Sequence, residues 1–135
     1  MNKIKSALLI FFVLFGYCSF GQTQKTMVIL ETSYQACLDK GINMLGCSQV
    51  YYQQMDSMLN LVYKKVRKTM TPCQISRLKI EQLKWLANRD KYFKNIVLNT
   101  EERLLDEEDK EMVITDKKSD FVRERVVELI KINKE

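Results

Sequence analysis

The sequence predicts an all-α protein, a small antiparallel helical bundle with one intrachain disulfide. Three observations carry that expectation. Apolar residues recur at three- and four-residue steps along most of the chain, the period of a helix with one buried face. Beyond residue 21 only Pro72, Gly41 and Gly46 interrupt that pattern. The cysteines left after an N-terminal leader is removed are three, enough for one bridge and an unpaired thiol.

The leader comes first. Lys3 and Lys5 precede an unbroken apolar stretch from Ala7 to Phe15, and Ser19-Phe20-Gly21 offers small residues at the positions a signal peptidase reads. The apolar run is too short and wrongly flanked for a stable membrane span. Residues 1–21 are therefore expected to be a cleaved signal peptide, and the mature chain periplasmic or secreted. A retained anchor is the alternative. A lipid anchor on Cys18 is disfavoured, because Tyr17 stands where such a signal needs a small residue.

Cleavage removes 21 of 135 residues and leaves 114, enough for one domain with one core. It also removes two lysines, lowering the net charge from +5 to +3. The charge is uneven: Lys40 to Lys94 holds 11 basic and 3 acidic residues, whereas Glu101 to Glu124 holds 10 acidic and 5 basic. Such polarity favours oriented association with a charged partner, or simply marks two solvated faces of opposite sign.

Residues 22–32 read as a flexible lead-in, ahead of a domain over residues 33–135. Ser33 to Lys40 is a candidate first helix, ended by Gly41 in the left-handed region. A second helix is expected over Ser48 to Met70, where Tyr51, Met55, Met58, Leu59, Val62, Val66 and Met70 mark one face. Its last turns carry Lys64, Lys65, Arg67 and Lys68, which complement the helix dipole.

Thr71-Pro72-Cys73-Gln74 is a stop and a restart. Threonine caps the new helix, proline suits its first position, and Gln74 completes a capping box. The third helix should reach Leu98, with Ile75, Leu78, Trp85, Leu86, Phe93 and Ile96 inward. So short a link makes helices two and three antiparallel neighbours. Asn99 to Lys118 is charged and ambiguous, either prolonging the third helix or forming a mobile connection. A last helix over Ser119 to Ile132 should turn Val122, Val126, Leu129 and Ile130 inward.

Two segments hold the most suggestive polar groups. Asp56, Asn60 and Tyr63 share one helix face, and Gln82, Trp85 and Arg89 share a face of the next. The reading favoured over a catalytic or ligand site is a structural network. Asp56 pairs with Arg89 while Asn60, Gln82 and the indole N–H satisfy the remaining groups. On that basis Arg89→Ala should cost about 3–5 kcal/mol by stranding a buried carboxylate.

The chain has no histidine, which removes the usual partner of serine and cysteine nucleophiles and the commonest zinc ligand. No enzyme activity, cofactor or metal site is expected. Asp106 to Glu111 lacks the spacing and the glycine of a calcium loop and reads as solvated charge. The basic cluster at Lys64 to Lys68 lacks the aromatic company of a nucleic-acid surface. Cys37 and Cys47 would sit about 15 Å apart in one continuous helix. A bridge needs Cα atoms within about 7 Å. If these two pair, the chain must turn between them, and Gly41 allows it; Cys37–Cys73 and Cys47–Cys73 remain the other pairings.

Taken in order, Cys37, Met44, Cys47, Asp56, Leu59, Asn60, Tyr63, Gln82, Trp85, Arg89 and Asp90, with Arg125 and Leu129, resemble a known pattern. It is that of the exported family defined by the N-terminal domain of the lysozyme inhibitor LprI. The family pattern sets cysteines ahead of D-x-x-L-N-x-x-Y, Q-x-x-W-x-x-x-R-D and a closing R-x-x-x-L. Many relatives carry a further pair of cysteines, one three residues after the R-D pair and one before the last helix. Here Phe93 takes the first position and no cysteine follows Cys73. The loss of both implies the loss of one whole bridge, with Cys37–Cys47 as the pair that remains. Leu45 departs from a polar residue usual in the family.

The resemblance implies a protein partner, in the named member a lysozyme. An inhibitor of such a hydrolase must plug a cleft that holds catalytic carboxylates. Lys64, Lys65, Arg67 and Lys68, or a turn at Lys117-Lys118, are the candidate contacts. The rival function is a non-catalytic, envelope-associated scaffold.

Overall fold

The computed structural model describes residues 21, 23–100 and 106–132. The expected signal peptide, Cys18 within it included, lies outside them except for Gly21. Among the described residues four helices make up the bundle: α1 over residues 23–38, α2 Met44–Lys68, α3 Pro72–Asn99 and α4 Glu107–Ile132. Among the described residues there are no strands.

Helix α1 corrects the expected flexible lead-in, because it begins ten residues before Ser33. Thr23, Met27, Leu30 and Tyr34 recur at helical steps. Thr23 and Met27 are buried, and Leu30 and Tyr34 pack against the core. Polar neighbours such as Gln24, Lys25 and Thr26 dilute that stripe in the sequence. The left-handed Gly41 (φ 64°) reverses the chain, as expected.

Helix α2 starts four residues earlier than predicted. Asn43, itself left-handed at φ 53°, accepts a hydrogen bond at 3.3 Å from the Gly46 amide and so caps the helix. Gly46 is the residue that permits this cap, since a Cβ there would stand 2.4–2.7 Å from the Asn43 side chain. The disulfide joins Cys37 at the end of α1 to Cys47 in the first turn of α2, with Cα atoms 5.9 Å apart. Among the described residues Cys73 is a free, exposed thiol.

The predicted capping box opens α3. Thr71 Oγ1 accepts from the Gln74 amide at 3.4 Å, and Gln74 Oε1 accepts from the Thr71 amide at 2.9 Å. Helix α4 starts twelve residues before the expected Ser119. Asp106 Oδ1 accepts from the Asp109 amide at 2.8 Å, and Glu107, Glu108 and Asp109 occupy the positive end of the dipole. The ambiguous acidic stretch thus initiates the last helix.

The core is a seam between α2 and α4, the most closely packed pair of α2, α3 and α4. Met55, Val62 and Val66 of α2 are fully buried, as are Val122, Val126 and Leu129 of α4. Buried positions on α4 (Thr115, Ser119, Val122, Val126, Leu129) alternate steps of four and three, the spacing of a coiled-coil seam. Each such aliphatic side chain contributes about 1.5–3 kcal/mol of burial. Ser48 and Ser119 are buried as well.

Helix α1 covers one side of the seam. It runs antiparallel to α2, with Tyr34 stacked on Tyr51 (4.4 Å between ring centroids) and Lys65 Nζ donating to Thr23 Oγ1 at 3.1 Å. It is antiparallel to α4 as well, through Glu31 with Arg123 and Tyr34 with Asp116. Helix α3 lies against the other side through an aromatic cluster, with Phe121 of α4 against Trp85, Tyr92 and Phe93 of α3. The third helix is antiparallel to the second, as Tyr52 against Phe93 shows. Yet α2 packs chiefly on α4. The large rings on the inner face of α3 fill the space that separates it from the seam.

Candidate functional site

The expected clasp between Asp56 and Arg89 does not form. Arg89 donates through Nε (3.0 Å) and Nη2 (2.7 Å) to Oδ1 of its neighbour Asp90, and its guanidinium lies 5.8 Å from the ring centroids of Trp85 and Phe93. A carboxylate one residue away and two aromatic faces satisfy the cation locally. Arg89→Ala therefore strands no buried Asp56. Asn60 is exposed and donates to the Asp56 backbone carbonyl at 3.0 Å. Tyr63 is half-buried beneath Arg67, 5.5 Å from its ring. The Asp56 carboxylate lies close enough to Tyr52 to add to the burial that raises that phenol's pKa, and Arg89 opposes it.

Two other clusters hold the helices together. Between α3 and α4, Arg125 Nε donates to Gln82 Oε1 at 3.1 Å and Nη1 donates to Glu128 at 2.9 Å. Arg125 is only 8% exposed, and its Nη2 is buried without a hydrogen-bond partner. Gln82 thus does tie α3 to a neighbour, but to α4. The sequence signal was the R-x-x-x-L at Arg125 and Leu129, whose arginine falls among inward positions of its helix.

Between α1, α2 and α4, the Tyr34 hydroxyl donates to Asp116 Oδ1 at 2.6 Å and lies 3.0 Å from Ser48 Oγ. Burial and the bond to Asp116 push the Tyr34 pKa up to about 12. Burial also raises the Tyr51 phenol, with Glu31 adding to it. The Asp120 carboxyl is raised by burial and then by Asp116, against the pull of Arg123. This cluster was hidden because its α1 members, Glu31 and Tyr34, sit astride the boundary drawn between lead-in and first helix.

Neither cluster is equipped for group transfer. Tyr34 keeps its proton, so it is a poor nucleophile. Ser48 faces a phenol rather than a base. Among the described residues no group of three or more Cys, Asp and Glu side chains converges to hold a metal. The acidic stretch caps α4. A groove of about 840 Å³ between α1 and α4 is lined by Met27, Val28, Val127 and Ile130, with Glu31 and Arg123 beside it already paired with each other. No described helix is long and apolar enough to cross a membrane.

The cationic candidates fall in two separate places. Lys64, Arg67 and Lys68 are at the exposed C-terminal end of α2, beside the turn into α3, and Lys65 is partly tied down through Thr23. Lys117 and Lys118 are not in a turn. They lie mid-way along α4, where Lys118 Nζ sits 5.6 Å from the Phe93 ring. Phe93 in turn meets Tyr52 in the first half of α2, so the two basic groups do not form one patch.

The family model of the lysozyme inhibitor LprI matches residues 22–129. The chain belongs to the lysozyme inhibitor LprI family. The match includes the whole described part of α1, which joins that helix to the domain. No curated protein and no solved structure matches the chain. Within this LprI-family chain, Cys37 and Cys47 form the bridge, Gln82 meets Arg125, and Trp85 joins the aromatic cluster of α3 and α4.

Proposed function

We propose that this is an exported protein-binding domain that inhibits a lysozyme-like peptidoglycan hydrolase. The single observation behind this reading is the LprI family match over most of the chain. The N-terminal leader read from the sequence supports export, and the Cys37–Cys47 bridge suits an oxidising compartment.

The corner formed by the end of α2 and the turn into α3 is the part that enters the hydrolase. It presents Lys64, Arg67 and Lys68 on a rigid helix end, and the capping box of α3 fixes the turn. A muramidase cleft holds a pair of carboxylates that a cationic protrusion complements. Lys117 and Lys118 are the secondary candidates, although Lys118 is partly engaged by Phe93.

The experiment is a lysis assay. Purified exported protein, titrated from nanomolar to micromolar, should slow clearing of a peptidoglycan suspension by a lysozyme. Lys64→Glu with Lys68→Glu should weaken the effect at least about tenfold, as expected for charges at a complementary interface. Undiminished lysis at micromolar protein would leave the envelope scaffold as the better reading.

A further inference from the structure

Helix α3 has a second face that neither the bundle nor the proposed inhibitor corner uses. Ile80, Leu83 and Leu98 are 55%, 57% and 71% exposed. Lys84, Lys91, Lys94 and Leu98 follow Ile80 at intervals of 4, 11, 14 and 18 residues, so they lie along one side of the helix, and all are exposed. The opposite side carries Leu78 and Ile96 into the bundle. Six basic residues and two acidic ones stand on α3. One of the acids, Asp90, is already engaged by Arg89, and among the described residues no carboxylate pairs with Lys84, Lys91 or Lys94.

From this we propose that the outward face of α3 docks the protein flat on an anionic phospholipid surface. Exposed Ile80, Leu83 and Leu98, with unpaired lysines set between them on the same face, match the boundary between acyl chains and anionic headgroups. From Ile80 to Leu98 this face is about 27 Å long. Two copies joined through α3 would set lysine against lysine. Helix α4 carries eight acidic residues against six basic ones, and a second copy docked there would meet none of the exposed large hydrophobic residues. A bilayer supplies both the charge and the apolar phase.

The test is sedimentation of the exported protein, its N-terminus defined by mass, with phosphatidylcholine vesicles containing about one third phosphatidylglycerol. Partitioning should exceed that into pure phosphatidylcholine at least about tenfold, and should fall as salt is raised. Each lysine is worth about fivefold, so Lys84→Ala, Lys91→Ala and Lys94→Ala together should lower partitioning about a hundredfold. Ile80→Ser with Leu83→Ser should lower it as well, whereas Val50→Ser with Leu61→Ser, exposed apolar positions on α2, should leave it unchanged. All these side chains are exposed, and circular dichroism checks that each variant is folded. Equal partitioning into neutral and anionic vesicles, no sedimentation, or binding that survives the triple lysine change would overturn the proposal.

Discussion

Arg125 is the residue on which the packing of α3 against α4 turns. It is buried, holds Gln82 and Glu128, and leaves one guanidinium nitrogen without a partner. Glu128 is 60% exposed, so that ion pair is screened and adds little. The buried volume of Arg125 therefore matters more than its charge. Arg125→Ala should lower unfolding stability by about 2–4 kcal/mol, through lost packing and a cavity. Arg125→Met, which keeps much of the volume and removes a buried charge, should cost less than about 1 kcal/mol. Chemical denaturation of both variants checks this; equal losses would show that the guanidinium itself is the stabilising part. Tyr34 carries a prediction about pH. The folded protein holds its phenolic proton to about pH 12, against an ordinary value of 10.0. Its contribution is thus complete below pH 10 and is lost as pH rises toward 12. Stability measured by denaturant at a series of alkaline pH values should fall through that window. Tyr34→Phe should flatten the fall but not abolish it, because Tyr51 and Tyr52 are raised too.

The helices show how much of the fold the sequence made legible. The capping box at Thr71 and Gln74, the left-handed Gly41 and the inward stripes of α2 and α4 were all readable, because each rests on local chemistry or short spacing. What escaped was set by long-range packing. Helix α1 begins at a polar stretch whose buried Thr23 and Met27 are recognisable only against α4 and the end of α2. The start of α4 escaped because six charged residues from Asp106 to Glu111 read as solvent-exposed connection, whereas Asp106 caps the helix and three acids sit at its positive end. Asp106→Ala should therefore destabilise the protein by about 1 kcal/mol, with faster amide exchange confined to the first turns of α4. Unchanged exchange there would mean that the cap is not what fixes the start. The misplaced clasp has the same origin: spacing showed that Asp56 and Arg89 each share a polar face, but not that Asp90 and the aromatic rings would satisfy Arg89 first.

At the scale of the molecule, the parts separate by task. The α2–α4 seam supplies the core, α1 is tied to it by the disulfide and the Tyr34 cluster, and α3 is held by rings and by Arg125. Basic residues outnumber acidic ones on α2 and α3 and the reverse holds on α4, leaving a basic corner at the end of α2 and an acidic first turn on α4. In the proposed function this basic corner blocks the carboxylate-bearing cleft of a lysozyme-like hydrolase. Inhibition measured across a series of soluble oligosaccharide concentrations tests it most directly. If the corner occupies the cleft, the apparent inhibition constant should rise linearly with oligosaccharide concentration, and Lys64→Glu with Lys68→Glu should weaken inhibition at every concentration. Inhibition independent of the oligosaccharide and unaffected by those two substitutions would contradict the claim.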